Sequence, residues 1–434
     1  MKELPSIALN GVDNFMLAMD RSMRASGSRG NICHLIITLR PDADLSTAGL
    51  RLLAHPTFRA VTSLRLKTGL LLSRRWVSCA APPTQLKTIR ECRSDQELHA
   101  LILARSLDIA HESPFGVTPL PNYTNGPSLL FYWHHALCDA HGGERLVKAL
   151  AETTTGDIVG ALTPSNESLP PVKERLLRAH KVKRMIFEKA RGGISRLAPA
   201  PKGASAPRFH LHTFSPEETR SIERTIGHLT GGMFPTAVCL AATARAFASA
   251  TSVGTSSTEP LFVPVPHDIR RSSKQQSPLT NQVSVAFFRV SSPLERSLAS
   301  VSNEIIQQLH DSVAEGYHHG MIDFFRLIRR LPLSLMWRVI ESPTKGHPAS
   351  FYYSDIGSSL SSLAVFDGSP VARATHYPPV LSPPGFTAVW SKYRDSLEVA
   401  FCFDGEVLND TALARITQHL SNDLIRGEDD HRSL

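Results

Sequence analysis

Residues 129–143 read LLFYWHHALCDAHGG, and the reading of this stretch decides the fold. The apolar, aromatic run Leu129-Leu130-Phe131-Tyr132-Trp133 has the composition of a strand and delivers His134 and His135 to a turn. Asp139, Gly142 and Gly143 supply the polar and flexible residues such a turn needs before a helical pattern, ERLVKALAE, begins at Glu144. Histidine is the side chain whose unperturbed pKa best suits accepting a proton near neutrality. A histidine that ends a buried strand stands at the edge of a core, where a pocket can form.

The pattern H-H-x-x-x-D formed by His134, His135 and Asp139 resembles the HHxxxDG motif of the chloramphenicol acetyltransferase-like superfamily. That superfamily includes condensation domains of peptide synthetases, plant BAHD acyltransferases, wax ester synthases and alcohol acyltransferases. Ala140 stands in place of the family's glycine, and alanine tolerates positive φ poorly.

Looser patches follow in family order. Asn31–Leu39 resembles the first strand, with a helix around Leu45 to Leu53, and His55-Pro56-Thr57-Phe58-Arg59 resembles the "HPxLR" segment. Phe234–Ala242 resembles a helix at the start of the second lobe, and Phe262–Pro266 with Arg270 and Asn281–Ser284 resembles the "vPvnlR…GN" region. Tyr353–Gly357 resembles the "SNxG" strand end, with Asp355 where asparagine is common. The DFGWG motif of plant members is absent from the sequence.

The resemblance implies an α/β, two-lobed fold with the active site in a channel between the lobes. It implies transfer of an acyl group from an acyl-CoA or phosphopantetheine-linked carrier thioester, with no tightly bound cofactor and no metal. The closest second-lobe patches are of the wax ester synthase and alcohol acyltransferase type, which favours a small-molecule hydroxyl acceptor and a lipid-like or secondary-metabolite product. An amide-forming condensation enzyme is the alternative catalyst. A non-catalytic relative that binds carriers or partners is the alternative from another class, and Ala140 and Asp355 speak for it.

By resemblance, the second histidine of the pair acts, so His135 is the general base and His134 supports it. An alcohol is a poor nucleophile until its proton leaves, and a positioned imidazole contributes about 10²–10⁴-fold to that step. No G-x-S-x-G elbow suggests an acyl-enzyme route. The family's aspartate points away from substrate and pairs with an arginine; Asp139 is therefore a brace, with Arg59 as its expected partner. Trp133, Asn281, Ser354 and the backbone near Gly142 and Gly143 are the candidate substrate and oxyanion donors.

His318-His319-Gly320-Met321-Ile322-Asp323 satisfies the same letters. It lies between IIQQLHDSVAEGY and FFRLIRRL, both with helix-like apolar spacing, and no strand feeds it. This second pair reads as helix surface. Context, not the pattern, separates the two.

The 434 residues suit two domains, and 42% hydrophobic with 20% charged residues describes a globular chain. The start, MKELPSIALNG, has no apolar core of a secretory signal. Six cysteines at 33, 79, 92, 138, 239 and 402 form no C-x-x-C, which argues against a zinc site or disulfide framework and for a reducing, cytoplasmic setting. Cys138 reads as a small packing residue.

The net charge of +8 concentrates in Lys173–Arg196, where nine Lys/Arg accompany Glu174 and Glu188 and apolar residues recur at roughly helical spacing. Such a segment suits contact with phosphate-bearing carriers or a membrane periphery; a solvated crossover helix is the bland alternative. Nucleic acid is disfavoured because aromatics are not interleaved with the basic residues. A monomer is expected.

Lobe boundaries follow from composition: an N-terminal lobe over 1–165, a basic and Pro-rich crossover over 166–208, and a C-terminal lobe over 209–434. TPSNESLPP and LAPAPKGASAP carry the linker signals. Ser215 as N-cap, Pro216 at N1 and Glu218 at N3 mark a helix start just inside the second lobe.

Overall fold

The Ser128–His134 strand is buried along its whole length, which is why it reads as a continuous apolar run rather than an alternating one. Leu129, Phe131 and Trp133 face the larger core, while Leu130 faces a smaller cluster on the opposite side of the sheet. The computed structural model describes residues 6–79, 90–152, 170–197, 206–251, 259–270 and 279–426.

Ser128–His134 is the fourth strand of a five-stranded antiparallel sheet. The order is Val365–Phe366, Ser369–Tyr377, Ile32–Leu39, Ser128–His134, Phe115–Leu120. A four-stranded sheet runs Tyr352–Asp355, Phe386–Tyr393, Ser396–Asp404, Pro207–Thr213, with its first pair parallel. A two-stranded ribbon, Leu261–Asp268 with Val283–Val290, lies apart, and a three-stranded sheet orders Ile7–Ala8, Arg74–Ser78, Leu64–Thr68. Helices flank these sheets, and two large apolar cores form, the larger built from both halves of the chain and the other from residues 214–424. The α/β, two-lobed architecture expected from the sequence is the one observed.

The cut at residue 209 is crossed. Ser369–Tyr377, far inside the C-terminal segment, pairs antiparallel with Ile32–Leu39 and completes the N-terminal sheet. An antiparallel partner need only be apolar and extended, so nothing local in the sequence assigns that strand to the first lobe. The two lobes therefore share a sheet as well as an interface.

The basic segment forms a helix, Val172–Ala190. Its Ala179, Val182, Met185, Ile186 and Ala190 are buried in the larger core, beside the Tyr317–Ile328 helix. Gly320 sits where a Cβ would meet Val182 and the Arg178 carbonyl at 2.5 and 2.8 Å, so glycine allows this close approach. The stretches 163–169 and 198–205, parts of the two linker signals, lie outside the described residues.

Candidate active site

The strand delivers its histidines through register. Ile32 pairs with His134, and the next amide, that of His135, donates to the Asn31 carbonyl at 2.9 Å. Residues 135–137 then turn, and Asp139 caps the helix Ala140–Ala151 by accepting from the Gly142 amide at 2.8 Å.

His134 is wholly buried and committed to the turn. Its Nδ1 accepts from the Ala136 amide at 3.1 Å, and its Nε2 lies 3.2 Å from Asp20 Oδ1. Burial opposes ionisation of Asp20, yet His134, Arg24 and the Asn31 amide outweigh it and hold its carboxyl down to about 2. His134 is thus a support with no atom left for substrate.

His135 differs in each respect. It is half-buried, lines a cavity of about 230 Å³, and has an enclosed Nδ1 with no side-chain partner. Burial lowers its pKa first and foremost; its own carbonyl and Asp139 push the other way without reversing the shift. The ring is held neutral near pH 7, the form that can accept a proton.

The cavity lies between the lobes. Phe15, Met16, Met19 and Cys33 line it from the N-terminal side, and Val283, Phe287, Phe325, Trp337 and Tyr352 from the C-terminal side. Its lining is mainly apolar, with Ser354, Asp355, His141 and His376 among the polar exceptions.

Asp139 braces the site, though not with Arg59. Its two carboxylate oxygens receive Arg270 Nη2 at 2.9 and 3.0 Å, and the Gln282 amide at 2.8 Å. Arg270 also donates to the Thr280 carbonyl and Asp268. Arg59 is exposed on the Pro56–Thr62 helix and donates to the Leu53 carbonyl at 3.0 Å instead. The guanidinium from the second lobe reaches the motif because the 261–268 and 283–290 ribbon carries residues 270 and 279–282 onto its back.

Four of the expected substrate donors are spent elsewhere. Trp133 is fully buried, with Nε1 donating to the Cys138 carbonyl at 3.1 Å. Gly143 lies on Trp133: a Cβ there would fall 2.3 Å from the ring. At Gly142 a Cβ would fall 2.0 Å from the Leu279 carbonyl oxygen. These glycines sit inside the helix and permit packing rather than contact with a ligand. Asn281 is buried, and its amide nitrogen donates to Asp13 Oδ1 at 2.9 Å and to the His135 carbonyl at 2.8 Å. It positions His135 from behind. Ser354, on the Tyr352–Asp355 strand, alone among the five lines the cavity.

Ala140 opens the helix as its first residue and is not among the positive-φ positions. Alanine replaces glycine without backbone strain. Asp355 accepts from Thr236 Oγ1 at 2.6 Å and from the Gly357 amide at 2.9 Å, and burial pushes its carboxyl up, towards the neutral acid. The second histidine pair lies on the Tyr317–Ile328 helix, and its Asp323 is a buried anchor for Arg175, Arg178 and Arg326. Burial pushes the Cys138 thiol well above its ordinary value, which fits a packing role.

A cluster absent from the sequence expectations borders the cavity. Glu144, fully buried, faces His141 Nδ1 and His376 Nε2 at 3.0 Å each and accepts from Ser359 Oγ. Burial disfavours its charge, but the two histidines overcome this and hold it at about 2; Glu144 in turn raises His141. The i,i+3 spacing of His141 and Glu144 was visible in the helical pattern, whereas His376 arrives from the crossing strand. Among the described residues no three side chains converge as a metal site.

No known family pattern and no curated protein matches this sequence. Solved structures do match its fold over nearly the whole chain. Trichothecene 15-O-acetyltransferase from Fusarium sporotrichioides aligns at a TM-score of 0.68 and 12% identity, covering 97% of this chain and 95% of that one. The first condensation domain of the calcium-dependent antibiotic synthetase aligns at 0.66 and 14%, covering 97% and 96%. The wax ester synthase/diacylglycerol acyltransferase from Marinobacter aquaeolei aligns at 0.60 and 14%, covering 97% and 100%. The chain has the two-lobed fold shared by chloramphenicol acetyltransferase-like acyltransferases and condensation domains.

Proposed function

We propose that the protein is an acyltransferase that moves an acyl group from a thioester, on CoA or on a carrier's phosphopantetheine, to the hydroxyl of a small apolar acceptor. The observation that carries this is the neutral, half-buried His135 on the wall of an apolar cavity between the lobes. His135 Nε2, the ring nitrogen not enclosed by the turn, takes the hydroxyl proton as oxygen attacks the thioester carbonyl. Ser354 is the donor best suited to the oxyanion that develops. The tetrahedral intermediate collapses, the C–S bond breaks, and the imidazolium returns the proton to the departing thiolate.

Asp139 does no chemistry in this scheme. It fixes the turn from the far side through Arg270, while Asn31 and Asn281 hold the backbone of His135 at its amide and its carbonyl. An apolar wall with a cation-prone His141 favours a neutral alcohol over an ammonium, hence ester over amide.

The test is product identification. The protein is incubated with acyl-CoA or acylated carrier protein and with alcohols and amines of matched size, and products are read by mass spectrometry. Ester from an alcohol is expected; amide alone would replace this reading with the condensation one, and neither product from any donor would refute both.

A further inference from the structure

The hairpin Leu64–Thr68 with Arg74–Ser78 ends in a tip that carries Leu70, Leu71 and Leu72 into solvent, 89%, 76% and 36% exposed. Leu71 and Leu72 take left-handed φ angles of 54° and 56°, a region disfavoured for any residue with a Cβ. The backbone thus adopts an unfavourable shape that holds three large apolar side chains away from the core.

The tip is not a loose end. Arg74 at its base is buried and donates to Asn14 Oδ1 at 2.7 Å, the Arg329 carbonyl at 3.1 Å and the Leu331 carbonyl at 3.3 Å. It is therefore fixed against the turn between the helices Tyr317–Ile328 and Leu333–Glu341. That turn presents more of the same chemistry: Leu327 and Leu335 are exposed, as are Arg330 and Arg338. Residues 64–78 and 326–338 together contain eight Lys/Arg and no Asp or Glu. Arg175, on the Val172–Ala190 helix, lies within electrostatic range of Arg329, and that helix adds the exposed Val172, Lys173, Leu176 and Leu177.

We propose that this face docks on an anionic lipid surface, with the Leu70–Leu72 tip entering the boundary between headgroups and acyl chains. A convex apolar point with exposed Lys67, Arg75, Lys173, Arg330 and Arg338 around it, against the exposed acid Glu174, itself paired with Arg178, matches that boundary. A flat acidic protein surface would satisfy the cations but would not bury three leucines held on a convex point. Among the described residues no single helix is long and apolar enough to cross a membrane.

The same face adjoins the cavity. The Leu333–Glu341 helix that carries Leu335 and Arg338 outward turns Trp337 and Ile340 into the cavity wall. A docked protein would therefore receive or release an apolar substrate beside the bilayer. This consequence rests on the acyltransferase reading; the docking itself does not.

Co-sedimentation of the full chain with vesicles tests it, using phosphatidylcholine alone and phosphatidylcholine mixed with phosphatidylglycerol. Binding to the anionic vesicles, weakened by added salt, is expected. The double variant Leu70→Ser with Leu71→Asn should bind at least tenfold more weakly, equivalent to about 1.4 kcal/mol. Its urea midpoint should match the native protein, since asparagine tolerates the left-handed region and the tip is solvent-exposed. No binding to either vesicle, or tip-variant binding equal to native, overturns the proposal. Self-association, or capture of an acidic acyl carrier protein, that the same variant abolishes while vesicle binding is absent would assign the face to protein and likewise overturn it. No readout here uses turnover, so failure of docking and failure of the acyltransferase reading are distinguishable.

Discussion

Arg270→Gln removes the cation that Asp139 faces, and the consequence can be worked from the geometry. Both side chains are almost inaccessible, at 2% and 6% exposure, so water cannot replace the lost partner. Breaking a buried pair by deleting one member costs about 3–5 kcal/mol. Asp139 retains the Gly142 and Gln282 amides, which moderates the loss towards the lower figure. At a urea slope of about 3 kcal/mol per molar, the midpoint should fall by about 1 M. Tryptophan fluorescence is a suitable probe, because Trp133 packs directly on the helix that Asp139 caps. Arg59→Gln is the control: an exposed side chain with a single carbonyl contact should cost less than about 0.5 kcal/mol. In the double variant Asp139→Asn with Arg270→Gln the losses should fall short of their sum, because the two side chains share one interaction. A native midpoint for Arg270→Gln, or an equal loss from Arg59→Gln, would refute the assignment of the brace.

Three further outcomes follow. Gly142→Ala and Gly143→Ala should each destabilise by at least about 1–3 kcal/mol, since the first drives a methyl into the Leu279 backbone and the second into the Trp133 ring; denaturation midpoints check both. Because burial depresses His135, the acid limb of kcat/KM should lie below the ordinary histidine value of about 6.5, and a limb above it would contradict a desolvated base. Asp13, which accepts from Asn281, is raised by burial to about 7, so the folded state holds a proton that the unfolded state releases near 4. Its contribution is fully present below about pH 4 and is lost as pH rises through about 7, at up to about 1.4 kcal/mol per pH unit. Asp13→Asn should flatten that slope in urea midpoints taken across this window.

What the sequence revealed was local. The strand into His134, the helix after Asp139, the cap at Ser215 with Glu218 and the helical setting of His318 are all present in the structure. Each depends on composition and spacing within a few residues, which short-range physics reads directly. What the sequence hid was pairing across distance. Arg270 lies 131 residues from Asp139, and the cue that favoured Arg59, a family-like patch nearby, carries no information about which guanidinium arrives. The same holds for Ser369–Tyr377, which joins the first sheet, and for His376, which meets Glu144 only because of that strand. Trp133 and the backbone near the two glycines stand beside the base in the motif, which makes them candidate donors in sequence; packing uses them instead.

The central claim is that His135 is the base. Thiol release from acyl-CoA or acylated carrier protein in the presence of an alcohol, compared for the native protein and His135→Ala, tests it most directly. The variant should keep the native unfolding free energy to within about 1 kcal/mol and lose about 10²–10⁴ in rate. Near-native turnover by a folded His135→Ala protein would contradict it.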